Sequence, residues 1–430
     1  MSLAQSEQCA LRYSLALEAA GMGRKIAEGR ILSAWGEALP TISGQYSKYL
    51  TDTYDREPSP GHRDRWSELY TAKIQARQPL FSGGRIGAGL RGARLYRESV
   101  EEDVREARQT LLYNVRVLYY QILLNEELMR VAREQTHLAE KYLEDVRKRK
   151  EVEVATDYDV LRAEVERTNE ATVLTRREND LANARSAFLR LLGLPLSSAL
   201  VLTDRLEFDP LPTPDEEVFY RRALGRRPDV HKSRLGIDMQ EQLIRGTRAD
   251  LFPNIYLTGE YSGTSDDFER PFKDYDKSWT VGLVLDWSLF DGLLVRGRLQ
   301  ELRAQKEQLE ILYRDLSDEV RLELRQALLD IASARSAVLS QVRNVEQARE
   351  SLRLVIEREK QGVNTHLDVL TARQILAVAE QNHYQSVFAY QIAGADLELA
   401  LGAIGEEPMR REEEESDAPD SAAVPSPVTP

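Results

Sequence analysis

The sequence predicts a mainly α-helical chain with a β-barrel portion, made of two tandem copies of one unit: long antiparallel helices of coiled-coil type plus two strands. Three observations carry this. Leu80-Phe81-Ser82-Gly83, Thr156-Asp157-Tyr158-Asp159-Val160-Leu161 and Leu192-Gly193 return as Leu289-Phe290-Asp291-Gly292, Thr365-His366-Leu367-Asp368-Val369-Leu370 and Leu401-Gly402, each at an offset of 209 residues. Two stretches, 84–152 and 293–361, are dense in charge and hold no proline, so nothing in them breaks a helix. Before each stretch lie segments that alternate apolar and polar residues with period two, as strands with one wet and one apolar face do.

Composition narrows the function. Lys+Arg number 58 against 71 Asp+Glu, a net charge of −13, which is the wrong sign for displacing counterions from nucleic acid. One cysteine, Cys9, excludes an intrachain disulfide, and the five histidines show no metal-ligand spacing. No window reaches the ~18–20 apolar residues of a membrane-spanning helix. That test leaves one membrane option open, the β-barrel, whose strands alternate and never form a long apolar run.

In chain order, Met1 to Ala20 reads as a polar, Ala-rich helix rather than a signal peptide, which is expected to be removed or not included. Strands are expected at about 41–51 and 69–81, with Tyr70, Ala72, Ile74 and Ala76 alternating with Thr71, Lys73, Gln75 and Arg77. A long helix follows over about 84–152, then a short tip, then a returning helix over 156–193. A helix of that span is about 100 Å long at 1.5 Å per residue and needs a partner of similar length. Pro195, Pro210, Pro212 and Pro214 mark a connector, with a short helix that Thr213 could cap. The second copy repeats the order: helix 228–252, strands 254–263 and 278–290, long helix 293–361, return helix 365–402. On its long helix Ile331, Ala334, Val338, Val342, Val345, Ala348, Leu352 and Val355 form an apolar seam. The repeats thus divide at 1–209 and 210–405, and 406–430 is an acidic, Pro-rich tail expected to be disordered.

Four strands cannot close a barrel, since small closed barrels need about eight. Unpaired strand edges are not tolerated in hydrocarbon, so membrane strands here require several chains per barrel. The aromatics Tyr46, Tyr49, Trp66, Tyr70, Tyr261, Trp279 and Trp287 near strand ends would suit an interfacial girdle. On pattern alone, a small soluble sandwich with one wet face stays open.

The sharpest local motif is T-x-x-D-V-L, at Thr156 and Thr365. It fits a capping box, in which Thr accepts from the amide three residues on and Asp159 or Asp368 reaches back. The same aspartates could form carboxylate rings in a symmetric assembly, a cation-selecting device. The tips, Val152-Glu153-Val154-Ala155 and Gly362-Val363-Asn364, expose valines between charged helices. Nothing resembles a nucleophile elbow, a phosphate loop or a metal constellation, so no catalysis, cofactor or metal is expected. Ser82-Gly83-Gly84 opens a long charged helix and reads as a bend.

With these residues in order, the chain resembles the TolC-like outer-membrane efflux proteins, the outer membrane factors of tripartite export systems. The resemblance covers roughly residues 1 to 405. It rests on Leu80-Phe81-Ser82-Gly83-Gly84, Leu191-Leu192-Gly193-Leu194-Pro195, Arg227-Pro228-Asp229, Pro253 with its strand, Trp279-Thr280-Val281-Gly282-Leu283, and Gly362 with Asp368-Val369-Leu370. It implies a homotrimer with a twelve-stranded barrel in outer-membrane lipid above a twelve-helix periplasmic tunnel. A periplasmic adaptor (membrane fusion) protein would dock on the tunnel and link it to an inner-membrane pump in a Gram-negative bacterium. The likeness further implies a gate at Asp368 and Thr371, to which the carboxylate-ring reading adds Asp159. Thr371 stands where the family carries a second aspartate, so half of that gate is carried over. Adaptor contact is implied at Val152, Val154, Thr156, Gly362, Val363 and Thr365. Lys73, Gln75, Arg77, Glu260 and Asp286 are the expected barrel-lumen residues. Cys9 follows Ser6-Glu7-Gln8, which is no lipobox, and reads as a helix residue. The function expected is a passive exit duct; the rival from another class is a soluble periplasmic coiled-coil scaffold without a pore.

Overall fold

The structure, a computed structural model, describes residues 1–52, 66–210, 216–265 and 276–405. Thr213 with Pro214 and the tail from 406 lie outside these. The elements run α1 (Leu3–Tyr13), α2 (Leu15–Gly36), β1 (Thr41–Asp52), β2 (Trp66–Ser82), α3 (Arg85–Glu151), α4 (Asp157–Leu191), α5 (Glu216–Arg226), α6 (Pro228–Arg248), β3 (Asn254–Ser265), β4 (Asp276–Asp286), α7 (Leu294–Lys360) and α8 (His366–Ala400). Both long helices have 67 residues and both return helices 35, and their starts differ by the same 209. Earlier in each copy the offset is 213, since Leu3, Thr41 and Asp52 correspond to Glu216, Asn254 and Ser265. The second strands start at Trp66 and Asp276, an offset of 210, so three of the four residues fall between the strands of each pair.

Two compact units cut across the repeats. The first comprises residues 1–18, 105–227 and 318 onward; the second comprises 19–104 and 228–317. In the first, a core forms where Tyr119 of α3, Phe188 of α4, Val338 of α7 and Tyr390 of α8 meet fully buried, with Leu192 beneath them. Arg116 is set between Glu7, at 2.7 Å, and Glu398, at 2.5 Å, and so ties α1, α3 and α8. The expected N-terminal helix is broken at Ser14. Its amide still closes α1 on Ala10, while its hydroxyl accepts from Leu17 to start α2. Val342 departs from the expected seam and is exposed; Gln341 takes its place, so the inward row runs 331, 334, 338, 341, 345, 348, 352, 355 in strict three–four spacing.

The second unit holds one antiparallel sheet in the order β1-β2-β3-β4. The sandwich expected of the soluble alternative is absent among the described residues, because all four strands lie in this single sheet. Strand β2 begins at Trp66, before the expected 69, and β4 ends at Asp286, so Trp287 and Leu289 lie beyond it. A register shift between Pro79 and Phe81 ends the regular ladder of β2 just before the corner. There Gly83 adopts φ +61, and a Cβ on it would sit 2.5 Å from the Ala249 carbonyl oxygen. In the second copy the matching corner is fixed by Asp291, whose carboxylate accepts from the amides of Leu293 (2.9 Å) and Val295 (2.8 Å).

Candidate conduit wall and hairpin tips

Strand pairing sorts the sheet into two chemically opposite faces. Arg77 lies opposite Thr41 on one side and Thr258 on the other; Gln75 lies between Ser43 and Glu260, and Lys73 between Gln45 and Ser262. Glu260 continues to Thr280, and Asn254 of the same face pairs with Asp286. Lys73, Gln75, Arg77, Glu260 and Asp286 therefore share one polar face. The Arg77 guanidinium is held 3.6 Å from the centre of the Tyr256 ring on that face.

The opposite face is apolar. Ile42, Ile74, Tyr261, Trp279, Val281 and Leu283 occupy it and are exposed, Trp279 by 77% and Leu283 by 66%. Such an area is far from water-compatible and marks a contact surface. The apolar rows end in charge: Lys48 and Glu68 pair at 2.9 Å beyond Tyr46, and Lys277 shares the Tyr46 row. Aromatics next to charges are what a membrane–water boundary selects. Strands β1 and β4 each keep one edge without a partner strand among the described residues. No helix of the described residues is long and apolar enough to cross a membrane.

At the other candidate region, each hairpin closes with the same pattern of bonds. Glu153 donates its amide to the Lys150 carbonyl (2.9 Å) and Val154 to Arg149 (2.8 Å); Gly362 donates to Glu359 (2.9 Å) and Val363 to Arg358 (3.0 Å). These are Schellman-type ends, which need a left-handed residue after the helix. Gly362 supplies it at φ +74, but the first hairpin uses Glu153 at φ +61. Val152, Val154 and Val363 are exposed, the last two by more than 70%. Thr156 and Thr365 are helix N-caps with full capping boxes. The Asp159 carboxylate accepts from the Thr156 amide (2.8 Å) and hydroxyl (2.7 Å), and Asp368 repeats both bonds with Thr365 at 2.8 and 2.9 Å. The Thr156 hydroxyl, then its amide, hold the Asp159 carboxyl below the usual carboxylate range. Thr371 turns its hydroxyl back to the Leu367 carbonyl at 2.9 Å. Each aspartate uses one oxygen, Oδ2, for its cap.

Sequence reasoning missed two contacts, the Arg116 bridge and a stack of His366 on Tyr142, and one backbone conformation, the left-handed Glu153. Only Glu153 carried a signal, since the 209-residue offset sets it on Gly362. Among the described residues no group of three His, Cys, Asp or Glu side chains could hold a metal ion.

Comparison with known proteins agrees with this geometry. A family model described as outer membrane efflux protein matches twice, over residues 8–194 and 219–403, once per repeat. The outer membrane efflux protein BepC of Brucella suis is 22% identical over 401 residues, covering 92% of this chain and 85% of that protein. The alkaline protease secretion protein AprF of Pseudomonas aeruginosa is 26% identical over 395 residues, covering 88% and 80%. In fold, the CmeC outer membrane channel of Campylobacter jejuni superposes with a TM-score of 0.79 over 96% of this chain and 88% of its own, at 19% identity.

Proposed function

The chain belongs to the outer membrane efflux protein family, and from that premise we propose that three copies form one passive exit duct, opened at its helical tips by an adaptor and fed by an inner-membrane pump. The observation that carries this reading is the four-stranded sheet with one apolar exposed face, one polar face and, among the described residues, two open edges. Lipid against the apolar face and a neighbouring copy at each edge satisfy all three features together. Two copies would supply eight strands, a ring whose interior side chains can fill; three copies supply twelve, the number that the resemblance implies.

In this assembly Lys73, Gln75, Arg77, Glu260 and Asp286 line the bore. Asp159 and Asp368 stand with Thr371 at the helical mouth, where symmetry turns each carboxylate into a ring that favours cations. Val152, Val154 and Thr156 of one tip, with Gly362, Val363 and Thr365 of the other, meet the adaptor; the exposed valines support this. The names of the relatives include both efflux and protease secretion, which fits a duct whose cargo is chosen by its partners. The test is reconstitution. Purified chain in detergent should scatter light as a trimer and conduct ions across a planar bilayer, and a photo-cross-linker at position 363 should capture a co-expressed adaptor. A non-conducting monomer would remove the reading.

A further inference from the structure

Within the second unit, where the strands pass into helices, the polar face of the sheet runs into a concavity of about 790 Å³ among α2, α3 and α6. Pro79 and Tyr256, which pair across β2 and β3 on that face, form one end, and Tyr96 of α3 forms the other. From Arg85 to Tyr96 α3 rises about 16 Å, so the space has the volume and reach of a small-molecule pocket. Its α3 wall carries little side chain: Ala88, Gly89, Gly92 and Ala93 line it. Gly89 lies inside the helix, where glycine costs stability, and a Cβ on it would meet nothing within 4 Å. Neither a turn nor a close neighbour accounts for this glycine; what it leaves is open space. The charges around that space suit an anion. Arg30 of α2 lies 3.8 Å from the centre of the Tyr96 ring, as Arg77 lies over Tyr256 at the other end. Neither guanidinium has a carboxylate partner among the described residues. Stacking uses the face of the group and leaves its fork of N–H donors free at the edge. Of the two carboxylates in the wall, Asp250 faces Arg85 at 3.9 Å, and Glu37 stands just past the end of α2.

We propose that this concavity is a binding pocket for a planar aromatic monocarboxylate, with its carboxylate on Arg30 and its ring against the Gly89–Gly92 wall of α3. A guanidinium fork matches the two oxygens of a carboxylate and bonds them in parallel, which fixes the orientation of the ligand. The side-chain-free wall lets a flat ring lie against the helix, and the Tyr96 ring beside Arg30 offers it an aromatic neighbour. A neutral molecule of the same shape keeps the ring contacts and loses the charge-assisted bonds. Glu37 repels a second carboxylate, so the class is a monoanion. The pocket stands on the geometry of one compact unit; its place beside an exit path rests on the duct reading.

Equilibrium dialysis of the full chain in detergent, against a blank of micelles alone, tests the pocket with β-naphthoate as the probe. The carboxylate should bind saturably, at one site per chain. The amide of the same shape, β-naphthamide, should bind about tenfold more weakly, the loss expected for charge-assisted hydrogen bonds. Arg30→Gln should weaken β-naphthoate by about the same factor and leave β-naphthamide unchanged; Arg30 is exposed, so its replacement spares the fold. Gly89→Leu should abolish binding of both probes, because the new side chain enters open space, meets no clash and is the better helix former. Circular dichroism and thermal unfolding check that each variant is folded, and either variant alone decides the matter. No saturable binding above the micelle blank, equal affinity for carboxylate and amide, or binding that survives Gly89→Leu in the folded chain would overturn the proposal. Bilayer recordings then separate the two claims. Saturable binding while no current flows refutes the duct and spares the pocket; current without binding refutes the pocket and spares the duct.

Discussion

Replacing Gly193 by alanine should do more harm than the same change at Gly362, although both glycines are left-handed and both follow a helix. At Gly193 φ is +72, and a Cβ would lie 2.4 Å from the Tyr13 carbonyl oxygen and 3.1 Å from the Tyr13 carbonyl carbon. Left-handed backbone costs a residue with a Cβ about 1 kcal/mol. The clash adds an overpacking cost of about 2 kcal/mol, because its partner is the backbone at the end of α1 and no rotamer can move it aside. The total is about 3 kcal/mol, roughly a hundredfold in the population of an opened α1. At Gly362 φ is +74 but nothing stands within 4 Å, so only the backbone cost of about 1 kcal/mol applies. Gly402 falls between, with Arg226 carbonyl carbon at 3.0 Å and oxygen at 3.1 Å of its would-be Cβ. Glu153→Gly should act in the opposite direction, relieving about 1 kcal/mol at the first tip. Amide exchange of the segments Leu3–Tyr13 and Glu216–Arg226 and of each tip measures all four variants. The order Gly193, Gly402, Gly362 is the test. Equal loss at 193 and 362 would show that backbone conformation alone, without close approach, decides the role of these glycines.

Three further outcomes follow from other contacts. Arg116→Met should destabilise the first unit by about 3 kcal/mol, since it leaves Glu7 and Glu398 facing each other without their shared cation, and thermal unfolding in detergent reads it. Asp159 has its carboxyl held low by Thr156, so its stabilising contribution is present above the ordinary carboxylate value and fades as pH falls through the lowered one. Exchange at the start of α4 should therefore quicken on acidification below about pH 4, and Thr156→Val should weaken that dependence. In bilayers, Asp368→Asn should reduce cation preference at the helical mouth and Arg77→Glu should raise it in the bore; reversal potentials under a salt gradient check both, and an unchanged potential in both variants would dismiss these positions as pore-lining.

Much of this architecture is open to reading because it is written twice. A capping box, a corner and a closing Leu-Gly are each weak evidence, but a fixed 209-residue spacing makes each copy support the other. The long helices are legible for a simple reason: no proline interrupts 84–152 or 293–361, and charge solvates their outer faces. Strand faces are legible from alternation, whereas strand ends are not. The bulge at Pro79 lies just before a corner where Gly83 packs on Ala249 and Phe252, and just past the end of β4 at Asp286 the Trp287 indole donates to the Leu251 carbonyl; both sets of partners lie far away in sequence. The break at Ser14 is hidden because Ala-rich sequence on both sides favours helix, and one serine ends the first helix through its amide and starts the next through its hydroxyl.

The differences between the copies carry what the repeat itself cannot. Glu153 stands in a left-handed conformation that Gly362 adopts freely, and the Lys150–Asp157 pair of the first tip is matched in the second by Glu359 bonded to His366. Neither difference is required to close a hairpin, because both tips make the same amide-to-carbonyl bonds at nearly the same lengths. Backbone strain and a titratable pair are local departures from the simplest solution, and departures of that kind gather where a surface is used. In the first hairpin the departure presents a carboxylate between two exposed valines; in the second it stacks the His366 imidazole on the neighbouring hairpin's Tyr142. The two tips thus share one backbone frame and differ at the apex, where one carries a carboxylate and the other a glycine.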